Sequence, residues 1–462
     1  MGSPLYRLWM ATVEDAPSAV ALVDASSGRS WKRSVLAREA QDWAAGYRDA
    51  FPSHGRERIL MSEQNGVDWF RAFLGILCAG ATPVPVDPSE PEAAQAEAAR
   101  AVGASLVWRS GRLHEVGGAV RRVGRGRGEC LVKLTSGTSG SPRGLPATFA
   151  QMVADGRQVC ASMGIGPGDA NLATIPLGYS YGLGNLVLPL LLQGTRVVCA
   201  SSILPHAVAA DARRHGATVL PTVPPVLRAL ASSGLGKGSL GRVRLVISAG
   251  SVLDPAVAQG FLGRFGLHIH GFYGTSETGG IAYDRTGEAT LEGRSVGTPL
   301  KGVRLSVGRR GAFRVSSRAV LGTGRFAPAD RARMNGHGEL VLLGRTGRIV
   351  KVAGRRVDLA QVESALRSVP GVRDALAAAV GGADPVLAAA AVTDQPPAEI
   401  RRMLRLRLAS WKIPGRIVAL AEFPVTARGK PDLARINQVL MAPRAATSIS
   451  TLSAARQMSA RR

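Results

Sequence analysis

The chain contains little cysteine, no long apolar run and few acidic residues. Its 462 residues include four cysteines, which are far apart and form no C-x-x-C pair. This spacing argues against a zinc site and against a dense disulfide framework. The longest apolar runs, 186–192 and 375–380, are much shorter than the roughly 20 residues of a membrane-spanning helix. Because the first residues also lack a signal-peptide pattern, we expect a soluble, cytoplasmic protein.

The shortage of acidic residues gives the chain a large positive charge. There are 58 lysines and arginines but only 33 aspartates and glutamates, a net charge of +25. Such an excess suits anionic partners such as nucleotides, CoA-like thiol carriers or an acidic membrane surface, although an arginine-rich composition alone also explains it. The charge is spread along the chain and no nucleic-acid-binding motif is present. We therefore expect no nucleic-acid partner and at most a weak association with a membrane surface.

The composition and the pattern of strand-like and helix-like runs predict two domains and a tail. Apolar residues make up 45% of the chain, which is enough for sizeable cores and excludes a mostly disordered protein. Strand-like and helix-like runs alternate through the first half, which predicts a large domain of layered α/β subdomains over 1–345. Short β-like runs at about 294–345 predict a small barrel or meander within it. A smaller α+β domain is predicted over 346–441, followed by a disordered basic tail over 442–462.

The strongest local signal is a glycine- and hydroxyl-rich segment, LTSGTSGSPRG at 134–144, which follows an apolar run. Glycines let a backbone approach a ligand closely and hydroxyls add donors, so this composition suits a phosphate-binding loop. It is not a P-loop, because no G-x-x-x-x-G-K-[ST] is present. The alternative is a flexible linker, which would seldom follow a buried strand directly. The candidate phosphate ligands are Thr135, Ser136, Gly137, Thr138, Ser139, Gly140 and Arg143.

This segment resembles the phosphate-loop signature of the adenylate-forming superfamily, which includes acyl- and aryl-CoA synthetases, peptide-synthetase adenylation domains and luciferases. The sequence departs from that signature at Arg143, where lysine is commoner. Other segments resemble further signatures of the superfamily in the same order along the chain: SAG at 248–250, GFYGTSE at 271–277, VGTP at 296–299 and PVTARGK at 424–430. One block would be moderate support for the resemblance, whereas five in order are strong support.

The resemblance implies a role for each matching residue. Ser276 would donate to the α-phosphate of ATP, Glu277 would hold Mg²⁺, and Lys430 would be the catalytic lysine of the small domain. Gly347 would be the hinge on which a mobile small domain rotates. The adenine and ribose would be bound by Gly250, Gly271, Phe272, Tyr273, Gly274, Asp330 and Arg345, with the tyrosine ring stacked on adenine. The residues facing CoA would be Lys351, Gly354 and Arg355.

The acid substrate is predicted from an apolar segment. Residues 176–182 take the place of the superfamily's PLFHxxG block, so that Tyr179 stands where a gating histidine is usual. The segments 176–192 and 222–230 are apolar and lack an aspartate that would pair with an α-amino group. We therefore expect a fatty or other hydrophobic acid rather than an amino acid, with Tyr179 and Tyr181 in its pocket.

The resemblance thus implies a two-step ligase, an acyl-CoA synthetase that uses ATP, Mg²⁺ and CoA. The acid would react with ATP to give an acyl-adenylate and pyrophosphate, and the thiol of CoA would then displace AMP. Two alternatives stay open: the acyl group is loaded onto the phosphopantetheine of an acyl-carrier protein, or departures such as Arg143 and Ser276 mark a non-catalytic homologue. A third, a serine hydrolase, arises because GYSYG at 178–182 fits G-x-S-x-G with Ser180 as the nucleophile.

Overall fold

The computed structural model describes residues 2–52, 57–117, 124–136, 142–345, 349–382, 384–424 and 432–442. Internal contacts divide the chain into two compact units. The large unit comprises Met1–Pro88, Gln95–Thr135 and Pro142–Gly347, and the small unit comprises Ser89–Ala94, Ser136–Ser141 and Arg348–Arg462. The tail predicted at 442–462 lies, except for its first residue, outside the described residues.

The large unit is a mixed α/β structure, which confirms the predicted fold class. Its strands are β1 (Val20–Asp24), β2 (Ser30–Lys32), β3 (Arg58–Ser62), β4 (Thr82–Val86), β5 (Ala104–Arg109), β6 (Arg112–Glu115), β7 (Glu129–Ser136), β8 (Pro142–Thr148), β9 (Ala170–Ala173), β10 (Arg196–Cys199), β11 (Val219–Thr222), β12 (Leu245–Ser248), β13 (Ile269–Thr275), β14 (Gly279–Tyr283), β15 (Thr298–Pro299), β16 (Arg304–Val307), β17 (Phe313–Ser316), β18 (Arg325–Phe326), β19 (Asp330–Met334) and β20 (Leu340–Arg345).

Helices alternate with these strands up to residue 292. They are α1 (Pro4–Asp15), α2 (Arg33–Ala50), α3 (Val67–Ala79), α4 (Glu92–Val102), α5 (Phe149–Met163), α6 (Ser180–Gly182), α7 (Leu188–Gln193), α8 (Pro205–Arg214), α9 (Pro224–Ala231), α10 (Pro255–Phe265) and α11 (Glu288–Glu292), with a π-helical turn over Leu183–Val187. None of the described helices combines the length and the apolar character that a membrane span requires. The four cysteines are free thiols.

A nine-stranded sheet forms the frame of the large unit, in the order β15-β14-β13-β12-β11-β9-β10-β1-β2. Its central neighbours, from β13 through to β1, pair in parallel. Every residue of β9, β11 and β12 is buried, as expected for parallel strands that are covered on both faces. Ligands in such sheets bind beyond the carboxyl ends of the strands. The segments that follow β12 and β13 are therefore well placed for a site.

A second sheet, in the order β4-β3-β5-β6, lies in the first part of the large unit. A buried ion pair connects its central strand to β7. Arg58 donates from Nε and Nη2 to the carboxylate of Glu129 at 2.8 and 2.7 Å, and from Nη1 to the carbonyl of Val102 at 2.6 Å. The guanidinium of Arg58 on β3 therefore has fixed acceptors on two neighbouring elements, β7 and α4.

The region predicted to be a small barrel or meander contains β16 to β20. These strands form a three-stranded and a two-stranded antiparallel sheet, and the bridge between Ala312 and Arg331 joins the two. The described strands therefore form a meander rather than one continuous closed sheet. Its start is bonded to its end, since the backbone N–H of Val296 donates to the carbonyl of Leu340 at 3.0 Å.

The small unit contains two sheets and three α-helices among its described residues. A hairpin of β21 (Ile349–Val352) and β22 (Arg355–Asp358) precedes a sheet in the order β23 (Val372–Val380), β24 (Val386–Thr393), β25 (Arg416–Leu420). The helices are α12 (Leu359–Arg367), α13 (Pro397–Leu404) and α14 (Leu433–Met441), with a 3₁₀ turn over Ser410–Lys412. The apolar spacing predicts that the helix containing Ile400 continues to Leu408, but α13 ends at Leu404. Beyond it, Arg407 N–H donates to Leu404 O, three residues back, so the chain tightens while Leu408 stays buried.

Candidate functional site

The predicted phosphate-binding segment lies between two paired strands. β7 ends at Ser136 and β8 begins at Pro142, and the two form a two-stranded sheet. The Thr135 hydroxyl donates to the carbonyl of Arg143 at 3.5 Å, across the start of this hairpin. The side chain of Arg143 is exposed. The remaining candidates in the segment, Gly137, Thr138, Ser139 and Gly140, lie outside the described residues.

Ser276 and Glu277 occupy the tight turn between β13 and β14. The turn is closed by the buried Thr278, whose Oγ1 accepts from the backbone N–H of Thr275 at 3.2 Å. The carbonyl of Glu277 accepts from the backbone N–H of Leu321 at 2.8 Å. Ser276 and Glu277 themselves are half-buried. The backbone of the turn is thus held from both sides, while its two candidate side chains retain access to solvent.

Three of the predicted nucleotide ligands come together between β13, β19 and β20. The hydroxyl of Tyr273 donates to Oδ2 of Asp330 at 2.8 Å. Asp330 is in turn the direct partner of Arg345 in the antiparallel register of β19 and β20. The ring of Tyr273 is only 4% exposed, so little of it is available to stack on a base. The structure therefore assigns its hydroxyl a definite contact, whereas adenine stacking stays a prediction.

The glycines of the predicted adenine site lie where a side chain would interfere. A Cβ at Gly274 would approach the carbonyl oxygen of Gly279 to 2.5 Å, so the turn between β13 and β14 needs glycine there. Gly250, which follows β12, has φ of +95°, a conformation that favours glycine. The backbone N–H of Gly271 donates to Thr290 Oγ1 at 2.8 Å. Phe272, next to it, is buried.

The hydroxyls of the predicted acid-pocket residues, Tyr179 and Tyr181, already donate hydrogen bonds within the protein. Tyr179 donates to the carboxylate of Asp87. Tyr181 donates to the carbonyls of Thr222 and Ile247 at 3.3 and 3.1 Å, and burial raises its pKa well above the ordinary range. Its ring centroid lies 5.8 Å from that of Phe272. Tyr181 can therefore offer an acid only the face of its ring.

A π-helical turn follows these tyrosines for a local reason. Pro189 has no N–H to donate to the carbonyl of Asn185, four residues earlier. That carbonyl accepts instead from the side-chain amide of Asn171 at 2.7 Å. The helix widens at Leu183–Val187, just before the proline, as helices often do at functional segments.

The hydrolase alternative lacks its geometry. A nucleophile elbow joins a strand directly to a helix, but β9 ends at Ala173, well before Ser180. Among the hydrogen bonds between described residues, none connects Ser180 to a histidine. His270 is committed elsewhere, since its Nδ1 lies 2.9 Å from the carbonyl of Asp284. Among the described residues, no hydrogen bond therefore couples a histidine base to Ser180.

The predicted CoA-side residues belong to a tight hairpin of the small unit. Lys351 pairs with Arg356 across β21 and β22, and the turn residues Ala353 and Gly354 have φ of +47° and +79°. Positive φ at both turn positions is typical of a type I′ hairpin. The guanidinium of Arg355 lies over the ring of Trp411 at 4.9 Å. The predicted hinge Gly347 and catalytic Lys430 lie outside the described residues.

Two buried charged residues next to the site are absent from the sequence prediction. Lys133 on β7 and Asp155 on α5 are 4% and 3% exposed. Lys133 Nζ donates to the carbonyl of Ser276 at 3.5 Å, which brings β7, two residues before Thr135, against the β13–β14 turn. A lysine inside the apolar run CLVKL, and an aspartate on the apolar face of a helix, were the signals in the sequence.

The arrangement fits a phosphorylated ligand better than an all-protein metal site. In the described part of the chain, no three metal-binding side chains cluster. Glu277 supplies a single half-buried carboxylate, which is the donor set expected when Mg²⁺ arrives with a triphosphate and keeps most of its other ligands. Asp330 supplies a carboxylate that could accept from ribose hydroxyls.

Comparisons with known proteins match segments of both units to AMP-binding enzymes. Residues 127–310 match the AMP-binding enzyme family and residues 361–430 match the AMP-binding enzyme C-terminal domain. The chain is 28% identical over 335 residues to sulfoacetate–CoA ligase of Cupriavidus necator, covering 65% of each chain. It is 30% identical over 338 residues to triostin synthetase I of Streptomyces triostinicus, covering 65% of this chain and 63% of that one. The match thus spans less than two thirds of either relative.

A solved structure shows the same fold over nearly the whole chain. The o-succinylbenzoate CoA synthetase from Bacillus subtilis superimposes with a TM-score of 0.81, covering 93% of this chain and 98% of that chain, at 19% identity. At that identity the likeness concerns the fold. It extends over most of both units, so the architecture is shared beyond the segments that carry the motifs.

Proposed function

Because the chain belongs to the adenylate-forming superfamily of AMP-binding enzymes, we propose that it activates a carboxylic acid with ATP and transfers the acyl group to a thiol. In the first step, an oxygen of the acid bonds to the α-phosphorus while the bond to pyrophosphate breaks. In the second, the thiol sulfur bonds to the acyl carbon, AMP leaves with the bonding electrons, and the thiol gives up its proton.

One observation carries the proposal: Tyr273 and Asp330, two predicted nucleotide ligands that stand 57 residues apart along the chain, are joined by a hydrogen bond. With Arg345 in register beside Asp330, these residues would bind the ribose. Ser276, at the turn that follows Tyr273 along β13, would then meet the α-phosphate. Such fixed donors favour a charged transition state because they need no reorganisation during the reaction. Mg²⁺ bound by Glu277 would neutralise charge on the phosphates.

We place the predicted but undescribed residues in the same reaction. Thr138 and its neighbours would supply donors to the phosphates, and Lys430 would bind carboxylate and phosphate oxygens during adenylation. Gly347 would allow the small unit to rotate between the two steps, since glycine has the widest range of backbone conformations. Lys351 and Arg355 would then face the thiol carrier.

The acid is proposed to be hydrophobic, either fatty or aryl. Tyr181 has no hydroxyl hydrogen to spare, because it is directed to two backbone carbonyls, and its ring faces that of Phe272. An aromatic wall of this kind favours an apolar or flat substituent. Tyr179, bonded to Asp87, would close the entrance.

CoA is the proposed thiol, and an acyl-carrier protein is the second candidate. The three cationic residues of the β21–β22 hairpin, Lys351, Arg355 and Arg356, suit the phosphates of CoA. AMP release that depends on free CoA would support the first route. Label transfer only to a phosphopantetheine-bearing carrier domain would support the second.

The test is carboxylate-dependent exchange of pyrophosphate into ATP, over a panel of fatty, aryl and amino acids. We expect exchange with a hydrophobic acid and none with amino acids. Asp330→Asn should reduce the exchange at least about tenfold, because a hydrogen bond to a charged group is worth roughly 1.5–3 kcal/mol. The matched control is Asp42→Asn, an exposed aspartate of α2, which should leave exchange unchanged.

Two results would contradict the proposal. Exchange that is fastest with an amino acid would overturn the hydrophobic substrate. Absence of exchange with every acid, from protein that is folded and binds ATP, would overturn the ligase activity and favour the non-catalytic homologue.

A further inference from the structure

Lys133 is an unusual residue for its position. It lies in the middle of β7, between Val132 and Leu134, and is 4% exposed. Its Nζ donates to the carbonyl of Ser276 at 3.5 Å. Burial lowers the pKa of this amine, while the carboxylates of Asp155 and Glu277 act in the opposite direction. A lysine that is kept out of water in this way needs a compensating partner.

Asp155 provides that partner from α5. It is 3% exposed, and its Oδ1 accepts from the backbone N–H of Gly280 at 3.0 Å. Burial raises the pKa of Asp155, against the opposing effects of Lys133 and of the Gly280 N–H. A Cβ at Gly279, whose φ is +67°, would overlap the Asp155 carboxylate. The start of β14 is therefore shaped to receive this side chain.

The two charged groups hold opposite ends of one short segment. Lys133 donates to the carbonyl of Ser276, and Asp155 accepts from the backbone N–H of Gly280, four residues later. Between them stand Glu277 and the buried Thr278. The segment 276–280 thus has one anchor on β7 and one on α5, in addition to its own turn bonds.

We propose that Lys133 and Asp155 are positioning residues, which together fix the 276–280 segment so that Ser276 and Glu277 point at Mg·ATP. The inference rests on the proposed function for what Ser276 and Glu277 do, but not for how the segment is held. Neither residue needs to touch the substrate. Each acts through a backbone group of the turn.

The competing explanation is that the two charges merely neutralise each other. Breaking a buried pair by removing one partner destabilises a protein, whereas replacing both by apolar groups of similar volume is often tolerated. The double variant K133M/D155L separates the two explanations. It removes both charges together, and it also removes the donor to Ser276 O and the acceptor for Gly280 N–H.

The first measurement is hydrogen–deuterium exchange of peptides that cover 276–280. We expect exchange of this segment in K133M/D155L to be at least about tenfold faster than in the wild type, with the peptides of β12 unchanged. The matched control is R58M/E129L, which removes the buried ion pair between Arg58 and Glu129 of β7 and should leave 276–280 protected. Equal protection of 276–280 in wild type and K133M/D155L would overturn the proposal.

The second measurement is the rise in melting temperature that Mg·ATP causes, compared with ATP in the presence of EDTA. We expect K133M/D155L to lose at least half of the magnesium-dependent rise, and R58M/E129L to keep it. If charge neutralisation were the only role, the double variant would keep both the protection and the rise, and the proposal would be wrong.

A test on the wild type covers the case in which the double variant does not fold. The amide of Gly280 should exchange at least about a thousandfold more slowly than an unstructured amide, without nucleotide, because Asp155 holds it inside the protein. Exchange at the rate of an open loop would refute the anchor. These readouts need no catalysis, so a wild type without pyrophosphate exchange would refute the proposed function separately.

Discussion

The hydroxyl of Tyr273 donates a 2.8 Å hydrogen bond to Asp330, which stands 57 residues further along the chain. Tyr273 lies on β13 of the nine-stranded sheet, and Asp330 begins β19 of the meander. A contact of this kind positions a carboxylate by means of a buried phenol, which has few alternative conformations. In the proposed function, the orientation of Asp330 toward a nucleotide would therefore depend on the hydroxyl of Tyr273.

Tyr273→Phe should weaken the binding of ATP without unfolding the protein. The variant keeps the buried ring and removes one hydrogen bond to a carboxylate, which is worth roughly 1.5–3 kcal/mol. We expect the KM for ATP in pyrophosphate exchange to rise at least about tenfold, with kcat changed less. Tyr283→Phe is the control, because Tyr283 is also buried and stands opposite Phe272 on β14. An unchanged KM in Tyr273→Phe would show that Asp330 is held by other contacts.

Arg58→Met should destabilise the large unit by about 3–5 kcal/mol, because it leaves the carboxylate of Glu129 buried without its partner. Arg58 and Glu129 are 4% and 6% exposed. R58M/E129L should recover most of the loss. Denaturation followed by tryptophan fluorescence is the measurement, since Trp411 is the one tryptophan of six that belongs to the small unit.

The control for that experiment is Arg402→Met on α13 of the small unit, with both variants also followed by circular dichroism, which reports helices and strands of both units. Arg402 donates to Glu399 at 2.6 and 2.9 Å, but both side chains are largely exposed. Exposed ion pairs contribute little, so the unfolding free energy should stay within error. A loss in Arg402→Met equal to that in Arg58→Met would contradict burial as the cause.

Glu339→Gln should alter how stability depends on acidity. Arg294, followed by Asn335 and Ser295, lowers the pKa of Glu339 from 4.5 to about 2. A carboxylate with a lowered pKa adds stability that is present above its unfolded pKa and is lost as the pH falls toward its folded pKa. The melting temperatures of wild type and Glu339→Gln should therefore differ most above pH 4.5 and converge toward pH 2.

The exposed Glu14→Gln on α1 is the control for removal of a carboxylate as such. Its melting temperature should follow that of the wild type at each pH. A difference between wild type and Glu339→Gln that is constant from pH 7 to pH 2 would show that the ion pair with Arg294 does not cause it.

The sequence predicts the fold well where the signal is local. Strand-like runs predicted at 244–248 and 386–392 correspond to the strands Leu245–Ser248 and Val386–Thr393, which are buried except at Val386, and the order of the motifs indicates one superfamily. α13 shows the limit, because its apolar spacing continues past the point where the hydrogen bonds tighten after Leu404. Periodicity reports which residues are buried, and it does not report the bonding pattern that buries them.

The site is predictable in its residue types and not in its contacts. Motifs identify Tyr273 and Asp330, but their spacing gives no sign that one bonds the other. Lys133 and Asp155 match no motif, because they act on backbone groups, and any turn offers such groups. Tyr181 is a converse case, since its position suggests a pocket residue while its hydroxyl is committed to backbone carbonyls. These roles depend on contacts between elements that are far apart in the sequence, and only the folded structure shows such contacts.

Lys430→Ala should abolish most of the first step and spare the second. In the PVTARGK motif this lysine would place a positive charge on the oxygens that develop charge as the acyl-adenylate forms. Loss of one preorganised donor of this kind costs about 10²–10³-fold in rate. We expect a loss of that size in pyrophosphate exchange, while thioester formation from a supplied acyl-adenylate falls by only a few fold. The matched control is Arg428→Ala, which removes a cation two residues earlier in the same segment. Equal losses of rate in both half-reactions would indicate that Lys430 supports the folding of the small unit and has no specific role in adenylation. Full exchange in Lys430→Ala would mean that the phosphates are neutralised without it, by Arg143 and the magnesium ion.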